Sequence, residues 1–211
     1  NSLLNPTQVE KKNQTIINPF DFSKLRFDVI IGNPPYMKSE DMKNITPLEF
    51  PLYKENYITA YKQFDKYFLF LEQGINLLND DGILGYIVPS KFTKVGAATI
   101  LRDELASKGY LFSLVSFGAN QIFADKTTYT SILTLKKSIQ KEFLYTEIKS
   151  LAEWKIRDFS NIDFERIELK TLSSDLWFLI PPYLKNIYDS LLKQSDTLER
   201  IVKKKNINNG I

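Results

Sequence analysis

Residues 27–36 read Phe-Asp-Val-Ile-Ile-Gly-Asn-Pro-Pro-Tyr, and they decide how the rest of the chain is interpreted. The β-branched run 29–31 predicts a buried strand, because such residues fit a pleated sheet that is covered on both faces. Gly32 ends the strand, and each of the two prolines that follow lacks a backbone donor and has a fixed φ. The sequence therefore predicts a stiff turn over residues 33–36, which we call the elbow. Ligands of open α/β sheets bind at the carboxyl ends of strands, so we expect a site there.

The elbow presents groups that suit an amino group on a planar molecule. Asn33 offers a side-chain carbonyl acceptor and an amide donor, and the carbonyl of Pro34 is a second acceptor. Two acceptors that converge on one NH2 group draw its nitrogen towards a tetrahedral, more nucleophilic form. Tyr36 adds a flat face on which a planar substrate can stack. The alternative interpretation is a proline-stiffened turn that carries a surface tyrosine.

The chain after the elbow predicts a long connection and then a helix. Residues 37–59 are interpreted either as a segment that closes over a substrate or as a plain surface excursion. Residues 60–79 predict a helix, and the turn 80–82 stops it, with Gly82 expected in a left-handed cap. The helix carries a core-facing apolar stripe of Phe64, Tyr67, Phe68, Leu71, Ile75 and Leu78.

Alternating strands and helices complete the predicted sheet. Strand 83–88, a helix over about 96–108 and strand 111–117 continue the β-α-β pattern of a parallel, doubly wound sheet. Strand 129–135 follows after a loop too short for a crossover helix, so we expect it to be antiparallel and to close the sheet edge. After residue 138 the pattern changes, and residues 142–180 mix charges with short apolar runs.

The composition removes several kinds of chemistry. The 211 residues include no cysteine and no histidine, which excludes disulfides, thiolate nucleophiles, Ser-His-Asp triads and ordinary zinc sites within this chain. The net charge of +3 allows a polyanionic partner without demanding one. No apolar run is long enough to span a bilayer and no secretory signal is present, so a cytoplasmic location is expected.

The stretch 27–36 resembles motif IV of amino methyltransferases, which use S-adenosylmethionine to methylate an exocyclic or amide nitrogen. Three downstream segments match in order and spacing, namely residues 70–82, 87–92 and 122–132. Over about residues 27–137 they narrow the resemblance to the TaqI-like gamma class of N6-adenine DNA methyltransferases in restriction-modification systems. The resemblance implies a Rossmann-like methyltransferase fold, mostly parallel with an antiparallel last strand.

The resemblance also implies roles for individual residues. Asn33, Pro34, Pro35 and Tyr36 would form the catalytic motif, in which Asn33 and the Pro34 carbonyl hold the target amino group. Tyr36 and Phe123 would stack on an adenine that is flipped out of double-stranded DNA. Stacking on a base contributes ~1–3 kcal/mol, which helps offset the few kcal/mol that extruding the base costs.

The cofactor contacts implied by the resemblance are Asn1, Ser2 and Phe70, and Phe70 has an alternative role in the helix core. S-adenosylmethionine sites also need a Gly-rich turn after the first strand, but no glycine precedes Gly32. The main cofactor-binding motifs are therefore absent from this chain. We expect the chain to bind the cofactor poorly by itself.

The domain organisation is interpreted in the same way. Residues 1–138 are expected to be the later part of a methyltransferase catalytic domain, and residues 139–211 a linker and the start of a target-recognition region. The chain begins with Asn1 and ends at Gly210-Ile211, a pair similar to the one at which the recognition region of the family begins. We therefore expect a fragment of a larger protein.

Three other functions stay open on the sequence. The Asn-Pro-Pro-Tyr tetrapeptide also occurs in methyltransferases that act on protein glutamine or on ribosomal RNA. A restriction-modification polypeptide can also carry a nuclease, and Asp163 with 168–170, or the triplet 147–149, imitates a metal-dependent Asp…Glu-x-Lys site. Neither triplet lies on a clear strand pair, so both are interpreted as solvated charge and no metal site is expected. The third alternative is a catalytically inactive DNA-binding fragment.

Overall fold

The computed structural model of the protein describes residues 2–4, 22, 24–123, 129–152 and 162–194. Within these residues the helices and strands follow in the order β1 (Phe27–Gly32), α1 (Ser39–Ile45), α2 (Phe50–Asn56), α3 (Lys66–Leu77), β2 (Leu78–Pro89), α4 (Thr99–Ser107), β3 (Leu111–Ser116), β4 (Thr130–Lys136), β5 (Glu142–Glu147), β6 (Glu165–Glu168) and α5 (Pro182–Gln194). No helix in these ranges is both long and apolar enough to cross a bilayer.

The strands form one six-stranded sheet in the order β1-β2-β4-β3-β5-β6. β1, β2, β3 and β5 run in one direction, and β4 and β6 run in the opposite direction. The predicted α/β class and the antiparallel strand near 129–135 are confirmed. The expectation that this strand closes the sheet edge is wrong, because β4 lies between β2 and β3 and pairs with both.

β1 is the outermost strand on its side of the described sheet, and it is not covered on both faces as predicted. Ile30 packs against the core, whereas Val29 and Ile31 are 57% and 83% exposed. Successive side chains of a strand point to opposite faces, so these two residues share the uncovered face. An apolar run by itself does not report which of its faces has a neighbour.

The helix predicted over 60–79 is shorter in the structure, because α3 covers only Lys66–Leu77. The predicted apolar stripe is confirmed as core. Five of its members are almost completely buried and the sixth, Ile75, packs against the same cluster; the five are Phe64, Tyr67, Phe68, Leu71 and Leu78. The stripe holds α3 against the sheet, and α3 in turn borders the elbow.

The turn 80–82 does not stop α3, because β2 begins directly at Leu78. The residue with left-handed backbone is Asp81, whose φ is 61°, and not Gly82 as predicted. Gly82 is needed for close packing instead, since a Cβ there would lie 2.9 Å from the carbonyl oxygen of Asn79. The absence of a side chain at Gly82 therefore allows the backbone of residue 79 to approach closely.

Residues 37–59 are more regular than the long connection that the sequence predicted. They contain the short helices α1 and α2, which bury Met42, Leu52 and Tyr53 in the core. Neither helix has a side-chain cap, and each is only 7 residues long. Tertiary packing, and not local propensity, therefore stabilises them.

The sheet continues beyond residue 138, where the linker was expected to begin. β5 pairs in parallel with β3, and β6 pairs with β5. Trp177 is 2% exposed and packs edge-on against Phe92, with ring centroids 5.9 Å apart. The nearer part of the expected linker thus belongs to the same packed body. Gly210 and Ile211, the expected start of the recognition region, lie outside the described residues.

Arg102 of α4 fixes this later segment in place. Its guanidinium is buried and donates to the carbonyl oxygens of Phe92 and Val95 on one side, at 2.7 Å each. On the other side it donates to the carbonyls of Ser174 and Asp175, at 3.0 and 2.8 Å. Burial lowers the pKa of Arg102, and the nearby carboxylate of Asp175 opposes that shift. One side chain therefore joins the turn after β2 to the segment before α5.

Candidate active site

The elbow lies at the edge of the sheet where the parallel strands end. Gly32 of β1 pairs with Tyr86 of β2, so residues 33–36 follow beside the last residues of β2. At the same edge Pro89 pairs with Thr130, the first residue of β4. The carboxyl ends of β1, β2 and β3 and the start of β4 therefore meet at one edge, and this is the edge at which the sequence predicts a site.

The four residues of the elbow differ in exposure. Asn33 and Pro35 are exposed, Pro34 is buried and Tyr36 is half-buried. The Tyr36 hydroxyl lies 2.9 Å from the carbonyl oxygen of Ile87 and 3.1 Å from Oδ1 of Asn33, and it can donate to either. Tyr36 therefore links the Asn33 amide to strand β2. The Asn33 amide is presented to solvent in an orientation that a neighbouring side chain supports.

A second aromatic ring, that of Tyr67, packs against Tyr36. The ring of Tyr36 meets the ring of Tyr67 edge-on, with centroids 6.0 Å apart and an interplanar angle of 73°. Tyr67 is fully buried and donates its hydroxyl to the carbonyl oxygen of Pro89, at 3.3 Å. Burial, followed by the negative charge of Asp65, raises the pKa of Tyr36 from 10.0 to about 12. Tyr36 is therefore protonated at neutral pH and keeps its O–H as a donor.

The raised pKa of Tyr36 predicts a pH dependence of stability. Its neutral form is favoured in the folded state, so this stabilisation is complete below about pH 10 and is lost as the pH rises through about 12. Tyr36→Phe should therefore lose less free energy of unfolding than the unaltered protein over that range. Denaturant titrations at several pH values measure the difference, and Tyr129→Phe, at a 66% exposed tyrosine, is the control. Parallel curves for Tyr36→Phe and the unaltered protein would contradict the prediction.

A buried carboxylate beside the elbow was missed by the sequence interpretation. Asp65 is 4% exposed, and its Oδ1 accepts a hydrogen bond of 2.9 Å from the backbone N–H of Met37, directly after Tyr36. Its Oδ2 pairs with Nζ of Lys91 at 2.8 Å. Asp65 lies inside the segment predicted as a helix, between Phe64 and Tyr67 of the apolar stripe, so nothing in the helical pattern singles it out. Its charge among aromatic residues was the signal that could have identified it.

Phe123, the second predicted stacking residue, lies in the loop between β3 and β4. It is half-buried, and its carbonyl oxygen accepts a hydrogen bond of 3.0 Å from the Gln121 side chain. This loop starts at Phe117, whose backbone N–H donates to Thr130 at the sheet edge that carries the elbow. The topology thus brings the two predicted stacking residues to one edge. Their pairing around a base stays a prediction.

The predicted cofactor contacts are only partly described. Asn1 lies outside the described residues, and Ser2 is exposed. Next to Ser2, the buried Leu3 accepts a hydrogen bond from the Tyr57 hydroxyl. Phe70 is half-buried on α3 and packs against the core, which agrees with its alternative role. The sequence has no glycine before Gly32, so the Gly-rich turn that lets a backbone approach S-adenosylmethionine is not among these residues.

The nuclease-like triplets are placed differently from the sequence interpretation. Glu147 and Glu168 do lie on a strand pair, at the ends of β5 and β6. Glu168 pairs with Lys170 at 2.7 Å, and both side chains are more than half exposed, so they are solvated charge as predicted. Asp163 is also exposed. Among the described residues, no group of three or more acidic side chains is arranged to hold a metal ion.

Two relatives place the chain among restriction-modification proteins. The type II restriction enzyme and methyltransferase RM.Eco57I of Escherichia coli is 43% identical over 212 aligned residues, which cover 100% of this chain and 21% of the relative. The type II methyltransferase M.BstVI of Geobacillus stearothermophilus is 29% identical and aligns with 73% of this chain and 29% of its own length. The chain thus spans less than a third of each of these relatives.

A solved structure supports the fold, and a family profile supports the classification. The nuclease-deletion mutant of the type ISP restriction-modification enzyme LlaGI, solved with a DNA substrate mimic, superposes with a TM-score of 0.53 at 22% identity. The superposition covers 75% of this chain and 18% of LlaGI, which supports the Rossmann-like methyltransferase fold. Residues 2–123 match the family described as Eco57I restriction-modification methylase, and they include the elbow, α3 and β2. The chain belongs to the Eco57I restriction-modification methylase family.

Proposed function

We propose that this chain provides the target-base half of a DNA adenine N6-methyltransferase that uses S-adenosylmethionine. The observation that carries the proposal is the elbow itself. An exposed Asn33 amide stands at the carboxyl edge of the sheet, its Oδ1 is within reach of the Tyr36 hydroxyl, and the buried Pro34 precedes a half-buried aromatic ring. This arrangement supplies acceptors for an amino group and a flat surface for a base, in double-stranded DNA from which one adenine is flipped.

The residues of the elbow act on the adenine amino group in this proposal. Asn33 Oδ1 and the Pro34 carbonyl oxygen each accept one N–H, which directs the nitrogen lone pair away from these two acceptors. The cofactor, when bound, supplies an activated methyl group on sulfur. No general base is needed before transfer, because the extra proton can leave the nitrogen to water afterwards. Tyr36 and Phe123 restrain the base so that the nitrogen and the methyl donor approach in line.

The Tyr36 hydroxyl has a second part in this arrangement. A single O–H reaches both Asn33 Oδ1 and the Ile87 carbonyl, so it biases the amide towards the orientation in which its oxygen faces Tyr36. The Asn33 oxygen has two lone pairs, so one remains for the target amino group. Pre-orientation of this kind removes a reorganisation cost from the reaction.

The cofactor half of the site is expected to lie outside these 211 residues. We therefore expect the isolated chain to show no measurable S-adenosylmethionine binding at micromolar concentrations, because it lacks the Gly-rich turn that holds the methionine part. Isothermal titration calorimetry on the 211-residue chain measures this affinity. The polypeptide that carries the chain serves as the positive control. A micromolar dissociation constant for the isolated chain would show that the described residues hold more of the site than proposed.

Transfer of labelled methyl groups tests the proposed reaction. The polypeptide that carries this chain is incubated with labelled S-adenosylmethionine and with DNA, RNA or protein in parallel. Label recovered as N6-methyladenine in DNA is the expected result. Label in ribosomal RNA or in protein glutamine would show that the protein is an amino methyltransferase but that DNA is not its substrate.

A combined restriction and modification activity is the second candidate for the parent polypeptide. The relative RM.Eco57I, 43% identical across this chain, is described as a restriction enzyme and methyltransferase in one protein. Within the described residues no acidic cluster could hold the metal ion that DNA cleavage commonly needs. We therefore place any nuclease of the parent outside these residues.

A further inference from the structure

The environment of Asp65 is unusual for a residue at the start of a helix. Asp65 occupies the N-cap of α3, where an aspartate side chain commonly accepts a backbone N–H of the first helical turn. Here it makes no such bond. Its two oxygens point elsewhere, one to the backbone N–H of Met37 and the other to Nζ of Lys91. The Asp65 side chain therefore hydrogen-bonds to neighbouring segments and does not cap its own helix.

The segment that leaves the elbow is tied to Asp65 and its neighbours on both sides. Lys66 donates its backbone N–H to the carbonyl oxygen of Met37 at 2.8 Å, and Ser39 donates to the carbonyl oxygen of Phe64 at 2.9 Å. Together with the Asp65–Met37 bond, these contacts fix the chain one to three residues after Tyr36. The elbow is thus anchored at its exit as well as at its entry from β1.

The Asp65 carboxylate also contacts the segment that follows β2, through Lys91. Lys91 follows β2 by two residues, and β2 supplies the Ile87 carbonyl that accepts from the Tyr36 hydroxyl. A buried carboxylate is costly unless it is paired and hydrogen-bonded, and Asp65 meets both conditions through groups on opposite sides of the elbow. Its placement therefore joins the exit of the elbow to the tip of β2.

We propose that Asp65 is a positioning residue for methyl transfer, which sets the elbow by accepting the Met37 N–H. This inference rests on the proposed function, because the elbow is the substrate site in that proposal. The role requires an oxygen acceptor at this point, whereas the ion pair to Lys91 is secondary. An asparagine at position 65 retains an oxygen acceptor and an alanine does not, so the two variants separate the role from the charge.

The test compares Asp65→Ala with Asp65→Asn in the full polypeptide that carries this chain. Single-turnover methyl transfer should fall at least about 10-fold in Asp65→Ala, since misplacing a reacting group by 1 Å can cost about 100-fold. Binding of DNA should change less than the rate of transfer, because the alignment of the target amino group matters most in the transition state. Asp65→Asn should stay within about 3-fold of the unaltered enzyme, because it keeps an oxygen acceptor for the Met37 N–H.

Hydrogen exchange provides a readout that is independent of the reaction. The amide of Met37 should exchange faster in Asp65→Ala and at nearly the original rate in Asp65→Asn, while amides of β3 and β4 stay protected. A uniform rise in exchange across the sheet would indicate general destabilisation and would overturn the positioning role. Equal losses of transfer in Asp65→Asn and Asp65→Ala would also overturn it.

The two proposals fail in different ways. If the unaltered polypeptide transfers no methyl group to DNA, the proposed function is wrong, while selective exchange at Met37 in Asp65→Ala would still establish that Asp65 holds the elbow. If DNA is methylated and Asp65→Ala has the original rate and exchange pattern, the proposed function stands and the role of Asp65 is wrong.

Discussion

Replacing Asn33 with alanine should lower the rate of methyl transfer by at least about 100-fold, comparable to the loss of one preorganised polar group in other active sites. The variant removes both the side-chain acceptor for the target amino group and the partner within reach of the Tyr36 hydroxyl. Only the Pro34 carbonyl would then remain to orient the nitrogen. The loss should appear in kcat more than in DNA affinity, because the amino-group contact matters most during transfer.

The Asn33→Ala substitution should affect the reaction without disturbing the fold. Asn33 is exposed, so its removal leaves no cavity and should change the free energy of unfolding by less than about 0.5 kcal/mol. Asn186→Ala, at an exposed asparagine on α5, is the matched control and should keep full activity. Single-turnover assays with saturating DNA measure the chemical step. Near-normal transfer by Asn33→Ala would remove this residue from the reaction.

Replacing Trp177 with alanine should destabilise the fold by about 3–5 kcal/mol, the range for a buried large aromatic side chain. Trp177 is 2% exposed, packs against the Phe92 ring and donates its indole N–H to the carbonyl oxygen of Ser173 at 2.8 Å. Its backbone N–H also donates to Thr93 at 2.8 Å. Removing the ring therefore leaves a cavity between the turn after β2 and the segment before α5.

The neighbouring residue provides the control for the Trp177 prediction. Phe178 is 70% exposed, so Phe178→Ala should change the free energy of unfolding by no more than about 0.5 kcal/mol. Urea titrations followed by circular dichroism compare the two variants. If both leave the denaturation midpoint unchanged, residues near 177 are a detachable linker, as the sequence suggested, and do not belong to the packed body.

The elbow and the central part of the sheet were predictable because their signals are local. Two consecutive prolines after an apolar run fix backbone geometry whatever surrounds them, so the turn after Gly32 follows from the residues alone. The stripe on α3 repeats with helical spacing and has one plausible destination, the core. The short connection between β3 and β4 leaves no room for a crossover helix, which determines their antiparallel pairing.

The parts that were not predictable depend on partners distant in sequence. β5 lies beside β3 through a pairing that no local pattern specifies, so residues 142–147 appeared to be a linker. α1 and α2 are short and uncapped, and only burial of residues such as Met42 and Tyr53 reveals them. The partners of the Asp65 carboxylate, Met37 and Lys91, lie 28 residues before it and 26 residues after it.

The Arg102 contacts bear on how such proteins can be recombined. A junction placed at residue 138 would cut through the sheet and separate the guanidinium from two of its four carbonyl acceptors. A chimera that joins this chain to the later part of a relative would therefore need its junction after Trp177, so that the arginine and both of the segments it joins are inherited together. The smallest segment that such a chimera must inherit whole is set by one guanidinium and four carbonyl groups, and it extends well beyond residue 138.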